Sequence, residues 1–279
     1  MKDLAGKTAL VTGGGSGIGR GIALGLAAEG MHVGVADLQA ASAARVVGEI
    51  EASGGKAFSV EVDVTSEDAL AAAVATVEAT AGGLNLLCAN AGVLARIASL
   101  QDHTIEDWEY TLSVNVLGVV KTVDAFLPLL LRSAPEAHIV NTASLGGLIA
   151  TEGFPIGAYI ASKYACVGYS EMLRAELDPL GVGVSVLCPG VVESSLVGTS
   201  MANRPAELGE QAMPTASADG DPTTANVNAM AAEDVGPVVI EAVRANRLHV
   251  LTHPGARGVV EARFAAILDD FDFATKSKA

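Results

Sequence analysis

Basic side chains are scarce in this sequence: 17 Lys and Arg stand against 32 Asp and Glu, a formal net charge of −15. So acidic a surface repels phosphate backbones and anionic lipid headgroups, which excludes nucleic acid and membrane as expected partners. Aromatic residues are also few, at 4%, although half of the chain is hydrophobic. The core must then be built from Ala, Val, Leu and Ile, the composition of buried parallel strands covered by helices. Cysteine is limited to Cys88, Cys166 and Cys188, an odd number with no CxxC pair. That argues against a disulfide framework and for a reducing, cytoplasmic compartment. Met1 to Lys7 has no basic region followed by a long apolar stretch, so no signal peptide is expected. The apolar runs are interrupted by Gly, Pro or charge before the ~20 residues that a membrane span needs, and a soluble protein is expected. The five histidines have no ligand spacing; no metal is expected, and His249 and His253 read as structural residues at a strand end.

What the sequence does contain is alternation. Short apolar runs at 8–12, 32–36, 56–62, 84–89, 138–142, 182–187 and 249–251 are separated by segments of helical period starting near Gly17, Ala40, Ser66, Thr104, Tyr159 and Glu233. Repeated βαβ units have this pattern, and their right-handed crossovers place helices on both faces of a parallel sheet. The predicted fold is α/β, a Rossmann-type, doubly wound sheet of seven strands in a three-layer sandwich, one domain over residues 1–279. Two segments break the alternation and read as loops: Leu145 to Ala158, and Glu193 to Met230. The second carries Pro205, Pro214, Gly220 and Pro222 among small polar residues, a composition suited to a flap. A linker is the alternative, but too little chain follows it for a second domain.

Thr12-Gly13-Gly14-Gly15-Ser16-Gly17-Ile18-Gly19 follows the first strand and opens the first helix. Glycines there allow a tight turn and bring backbone N–H groups close to a pyrophosphate. A merely structural turn is the alternative, but Asp37 arrives at the end of the second strand, where a carboxylate can accept hydrogen bonds from the adenosine ribose. The same charge repels a 2′-phosphate, and neither Ser16 nor Leu38 supplies a cation for one. NAD is therefore expected over NADP, unless Asp37 is only a solvated strand-end acid. Tyr159 and Lys163 stand at i and i+4 on a predicted helix, so both emerge on one face. An ammonium beside a phenol favours the phenolate, which makes Tyr159 a candidate proton acceptor; without context the pair reads as an ordinary surface one.

Several motifs together resemble the short-chain dehydrogenase/reductase (SDR) family over nearly the whole chain. The 12–19 loop is similar to that family's Thr-Gly-x-x-x-Gly-x-Gly signature, Asp63 to its adenine-contacting acid, and Asn90-Ala91-Gly92 to most of its Asn-Asn-Ala-Gly element. Asn115, Ser144, Tyr159 and Lys163 match its catalytic tetrad. Pro189-Gly190, followed by Val192 and Ser194, resembles the segment that clasps the nicotinamide carboxamide. The resemblance implies a cofactor site of Gly13, Gly15, Ser16, Gly17, Ile18 and Gly19, of Asp37, Leu38, Asp63 and Val64, of Asn90, Ala91 and Gly92, and of Tyr159, Lys163, Pro189, Gly190, Val192 and Ser194. It implies that Ser144 hydrogen-bonds the substrate oxygen, Tyr159 takes its proton, Lys163 binds the nicotinamide ribose and supports the tyrosine, and Asn115 completes a proton relay through water. The chemistry is consistent with this on its own terms. Hydride leaves a carbinol carbon easily only as the hydroxyl proton is removed and the developing oxyanion is stabilised.

Three departures stand out. Ala89 occupies the place of the family's first asparagine, fifteen positions separate Ser144 from Tyr159, slightly more than usual, and the 193–230 segment is long. Its apolar members Leu196, Val197, Met201 and Met213 either meet a hydrophobic substrate or pack a short helix. The stretch from Leu248 through Phe271 is similar to a branch acting on aryl carbinols and other bulky secondary alcohols. Relatives assemble as dimers or tetramers through the helices corresponding to Thr104–Arg132 and Tyr159–Leu180, so a homo-oligomer is expected. Small residues Ala161, Ala165 and Gly168 permit either that contact or packing on the sheet. The expected activity is NAD-dependent interconversion of a secondary alcohol and a ketone. The competing readings are a catalytically silent NAD(H)-binding regulator and a non-redox SDR, an epimerase or dehydratase.

Overall fold

The computed structural model describes residues 1–94, 96–150, 154–194, 196–209 and 229–276. Its strands are β1 (Thr8–Thr12), β2 (His32–Asp37), β3 (Lys56–Glu61), β4 (Leu86–Ala89), β5 (Ala137–Thr142), β6 (Val182–Cys188) and β7 (His249–Leu251). They form a parallel sheet in the order β3-β2-β1-β4-β5-β6-β7, the Rossmann-type arrangement expected from the alternation. Side chains alternate across it. Ala9 and Val11 of β1 enter one core while Leu10 enters the other, as a period of two requires.

Helices cover both faces. On one side α1 (Gly17–Ala28), α2 (Ala40–Ala52) and α8 (Ala232–Arg244) pack Ile22, Leu26, Val46, Ile50, Val235 and Val239 onto Val11, Val33 and Val35. On the other, α3 (Glu67–Ala81), α5 (Gly118–Arg132) and α6 (Gly157–Leu177) pack Val77, Phe126, Leu130 and Leu173 onto Leu10, Leu87, Ile139 and Val184. Local signals set the ends: Ser66 Oγ accepts from Ala69 N–H, and Gly82 closes α3 in the left-handed conformation at φ 74°. The α1–α8 crossing requires glycine, because a Cβ on Gly21 would lie 1.9 Å from the Ala232 carbonyl oxygen.

Two elements differ from expectation. The run from Thr104 is α4 (Ile105–Leu112) and α5 joined by a π-turn at Ser113–Leu117. Together, Ile105–Arg132 is long and apolar enough to cross a membrane by length and composition, contrary to the reading that every apolar run is too short. Its apolar face is spent in this fold on core contacts through Val123, Phe126, Leu129 and Leu130. The second difference lies in the 193–230 segment, read as loop, where Leu196–Ala202 forms a short helix, α7. Seven residues are too few to establish a helical period. Residues 210–228, with Met213, Pro214, Gly220 and Pro222, lie outside the described residues, as do 151–153 of the Leu145–Ala158 segment. The last described element is α9 (Arg257–Lys276).

His138 on β5 is fully buried. Ser185 donates its hydroxyl hydrogen to the Arg247 carbonyl (2.6 Å), so His138 Nε2–H must be the donor to Ser185 Oγ at 2.8 Å. Nδ1 is then bare and buried, with no partner among the described residues. Burial, with the N-terminal amine and Arg174 adding to it, pushes this imidazole down to about 3 from 6.5. The unfolded chain therefore binds a proton that the folded chain refuses. Stability should be intact above pH ~6.5 and fall by up to about 1.4 kcal/mol per pH unit from there toward pH ~3. Urea unfolding between pH 7 and 5 should show this slope flattened in His138→Gln; an equal slope in both proteins would remove His138 as its source.

Candidate active site

The strand order reverses between β1 and β4, and ligands of doubly wound sheets bind in the crevice beyond the carboxyl ends of such strands. A cleft of about 850 Å³ lies there. Gly13 and Gly17 adopt φ of 63° and 48°, so the chain turns sharply between β1 and α1 and presents the helix N-terminus to the cleft. A Cβ on Gly19 would lie 2.1 Å from the Gly13 carbonyl oxygen and 2.6 Å from Asn90 Nδ2; its glycine closes the loop on itself. Thr12 Oγ1 accepts from the N–H groups of Asn90 (3.0 Å) and Ala91 (3.1 Å), and Asn90 Nδ2 donates to the Thr12 carbonyl at 3.0 Å. The first loop and the loop after β4 are thus one unit.

At one end of the cleft Asp37 accepts from Gly15 N–H (2.9 Å) and Gln39 N–H (3.0 Å). Asp63 Oδ1 is held by the N–H and hydroxyl of Thr65 at 2.8 and 2.7 Å. Arg45 of α2 reaches the same region, its guanidinium donating to the Gly15 carbonyl at 2.6 Å and to Glu49. Its position follows from the docking of α2, so no motif could have announced it.

The other end holds the proton-transfer candidates. Tyr159 and Lys163 both line the cleft, with Lys163 Nζ 5.5 Å from the Tyr159 ring centre. Lys163 is buried, and its ammonium donates to the Thr142 carbonyl at 3.0 Å. Asn115 sits in the π-turn, where the extra residue of a wide turn re-aims a side chain. Its Oδ1 accepts from Val93 N–H (2.7 Å), and its Nδ2 donates to the Val93 carbonyl (2.9 Å) and Ser162 Oγ (3.0 Å). A Cβ on Gly92 would fall 3.2 Å from Asn115 Oδ1 and 3.4 Å from Lys163 Nζ. Glycine therefore keeps open a small gap bordered by both groups. Ser144 follows β5, its Oγ accepting from Gly146 N–H at 3.1 Å. Pro189 reaches the cleft, and behind it Gly190 N–H is held by Thr252 Oγ1 and His253 Nδ1, each at 3.2 Å.

A roof of polar contacts crosses the cleft. Ser200 of α7 accepts from Leu94 N–H at 2.9 Å, Tyr110 donates to the Asn203 carbonyl at 3.2 Å, and Gln39 donates to Asn203 Oδ1 at 3.1 Å. Arg204 meets the fully buried Asp107 at 2.6 Å, and Arg96, from the loop after β4, reaches the other oxygen at 3.2 Å. Burial raises the Asp107 carboxyl; the hydrogen bonds from Arg204 and Thr104 N–H and the charges of both arginines outweigh that and hold it below its ordinary value.

A glycine loop, a strand-end acid and a Tyr-x-x-x-Lys pair facing one cleft coincide with a match of residues 7–205 to the family model described as short chain dehydrogenase. The chain belongs to the short-chain dehydrogenase family. A short-chain dehydrogenase/reductase from Burkholderia phymatum, solved in complex with NAD, is 35% identical, with a TM-score of 0.86 over 97% of each chain. One from Burkholderia cenocepacia, solved in complex with NADP, is 31% identical, with a TM-score of 0.74 over 90% of this chain and 96% of that one. A relative from Acinetobacter sp. (strain SE19) named cyclohexanol dehydrogenase is 36% identical over 68% of this chain and 75% of its own.

Of the residues expected in this short-chain dehydrogenase site, Gly13, Ser16, Gly17, Ile18, Asp37, Leu38, Asp63, Val64, Asn90, Ala91, Gly92, Tyr159, Lys163, Pro189 and Ser194 line the cleft. Gly15, Gly19, Asn115, Ser144, Gly190 and Val192 are not among the lining residues; Gly15, Gly19 and Asn115 are buried, while Ser144, Gly190 and Val192 are half-buried, Ser144 directly after the lining residues Thr142 and Ala143. The structure adds Gln39, Tyr110, Thr142, Thr199 and Asn203 to the lining, and it places Leu196, expected either to meet a substrate or to pack a short helix, on the cleft wall and in α7. These come from α4, α7 and the strand ends, brought together by tertiary packing. Among the described residues, no group of three or more His, Cys, Asp or Glu is placed to hold a metal ion.

Proposed function

We propose that this short-chain dehydrogenase interconverts a secondary alcohol and a ketone with NAD, in one domain over residues 1–279 whose 193–230 segment serves as the substrate flap. The observation that carries the proposal is the shared cleft: Asp37 at one end, and Tyr159 with the buried Lys163 at the other. The residues fit a dinucleotide. Gly13 and Gly17 leave their backbone open to it at the head of α1, Asp37 suits the ribose hydroxyls, and Lys163 suits the second ribose. When bound, the nicotinamide accepts or returns the hydride. Tyr159 takes the hydroxyl proton and Ser144 hydrogen-bonds the substrate oxygen. The gap at Gly92 suits a water between Asn115 and Lys163 that passes the proton outward. Leu196 and Val93 on the cleft wall and the cyclohexanol-dehydrogenase relative favour a hydrophobic, cyclic or aryl alcohol.

NADH formation from a panel of alicyclic and aryl secondary alcohols, followed by absorbance with NAD and NADP side by side, tests the proposal. No turnover across the panel despite NAD binding would shift it to a silent regulator, or to an epimerase or dehydratase.

Cofactor choice is set by Asp37, whose charge opposes a 2′-phosphate, with Arg45 engaged by Gly15 and Glu49. Leu38→Arg places a cation on the cleft wall, and its NADP affinity should rise about tenfold or more, as a charge-assisted hydrogen bond provides. An unchanged NADP affinity would refute this account of selectivity.

Ala161, Ala165 and Gly168 lie exposed on α6, away from the sheet, which supports a homo-oligomer, dimer or tetramer, meeting on this face; the three free, buried cysteines suit a reducing, cytoplasmic compartment. Light scattering reads it directly, and a single-chain mass at micromolar concentration would refute it.

A further inference from the structure

Among the described residues, α9 carries a run of exposed large apolar side chains, Val259, Phe264, Ile267, Leu268, Phe271 and Phe273, far along the chain from every cleft residue. From Phe264 to Thr275 every residue is exposed, and three of the six phenylalanines of the protein, Phe264, Phe271 and Phe273, lie in this stretch. Phe271 is 67% and Phe273 73% exposed. The helix is attached near its start, where the Arg263 guanidinium stands over the Tyr164 ring of α6 at 5.1 Å. Exposed apolar side chains of this size gain free energy when removed from water, so the apolar side of the helix calls for a covering surface.

The spacing of that side identifies the cover. Val260, Phe264, Ile267, Phe271 and Ala274 recur at intervals of four, three, four and three, the seam of a heptad repeat. Arg263 and Asp270 occupy the same flanking position, one heptad apart. Charge is also uneven along the helix: Arg263 stands toward its start beside the Arg257–Glu261 ion pair, and Asp269, Asp270 and Asp272 precede Lys276 toward its end. If two such helices run antiparallel with Phe264 layered against Ile267 of the other copy, Val260 falls against Phe271. Arg263 then falls beside Asp270 of the other copy, twice by symmetry. A parallel pair places the acidic ends side by side and leaves Arg263 facing Leu268.

We infer that α9 pairs antiparallel with α9 of a second copy of this chain, through the Val260–Phe271 seam and two symmetric Arg263–Asp270 contacts. The contact is isologous, as a two-fold dimer requires. It also continues the outward face of α6, because Tyr164 shares that face with Ala161, Ala165 and Gly168 at helical spacing.

Sedimentation equilibrium of the full-length protein tests this, with circular dichroism as the folding control. Phe264→Asp with Phe271→Asp should reduce the assembly to half its wild-type mass. Arg263→Asp and Asp270→Arg should each weaken association by on the order of tenfold, since each replaces two attractions by two repulsions. The two together should restore it, because the pair has only exchanged signs. A mass unaltered by the seam substitutions would overturn the inference. So would single reversals without effect, or a double reversal that restores nothing, which would place α9 on another surface of the partner. A single-chain wild type that binds phosphatidylcholine vesicles would assign the face to lipid instead.

Discussion

Tyr159→Phe should lower kcat by about a thousandfold, within the range that general acid–base groups contribute, and leave the affinity for NAD nearly unchanged. The substitution removes one oxygen and keeps the ring, so the packing at the start of α6 survives. Lys163 keeps its hydrogen bond to the Thr142 carbonyl at 3.0 Å, and nothing at the Asp37 end of the cleft is touched. A loss confined to kcat is therefore expected, whereas a residue that only shaped the pocket would raise KM with kcat retained. Titrating NAD by fluorescence alongside steady-state kinetics separates the two. A variant that retains a tenth or more of wild-type kcat would take the proton-transfer role away from Tyr159.

The second large effect should come from Asp107→Asn, a residue outside the family motifs. Asp107 is fully buried and joins Arg96 of the loop after β4 to Arg204 beyond α7, so one carboxylate ties two walls of the cleft together. Removing one member of a buried pair costs about 3–5 kcal/mol. The three roof contacts of Ser200 in α7 with Leu94 and of Asn203 just after it with Tyr110 and Gln39, at about 1 kcal/mol each, supply roughly 3 kcal/mol. Opening the roof is then the cheaper response, and the fold beneath it is spared, since the asparagine still offers an oxygen to Thr104 N–H at the start of α4. KM should rise on the order of tenfold or more, as positioning is lost, with a small change in melting temperature. Protease nicking around Arg204 should accelerate, and the emission of Trp108, the sole tryptophan and the next residue in the chain, should shift. Wild-type KM together with a wild-type proteolysis pattern would mean that the tie has no function.

Much of this site was legible in the chain because its signals are local. The glycines between β1 and α1 are required by left-handed dihedrals and close backbone approach, and Asp37 is placed by the length of β2. Tyr159 and Lys163 share a helix face whatever that helix packs on. What could not be read depends on partners distant in sequence. The π-turn at Ser113–Leu117 is stabilised where Asn115 bonds the backbone of Val93, 22 residues away, and an apolar helical pattern gives no notice of it. α7 has no signal in the local pattern, because its order comes from Ser200 meeting Leu94 N–H across 106 positions. The choice between sheet packing and outward display for Ala161, Ala165 and Gly168 was open for the same reason, since small residues suit both.

The sequence by itself determined the alternation of strands and helices, the glycine loop, the strand-end acid and the Tyr-x-x-x-Lys pair, because periodicity, backbone freedom and i, i+4 geometry act within a few residues. Only the tertiary structure decided that Asn115 stands buried at a wide turn outside the cleft lining, that Asp107 holds two arginines over the cleft, that Arg45 is engaged beside Asp37, and that α9 leaves Phe264 and Phe271 exposed. Each of these is a balance between burial and partnership, and that balance is struck only when distant segments are packed against one another.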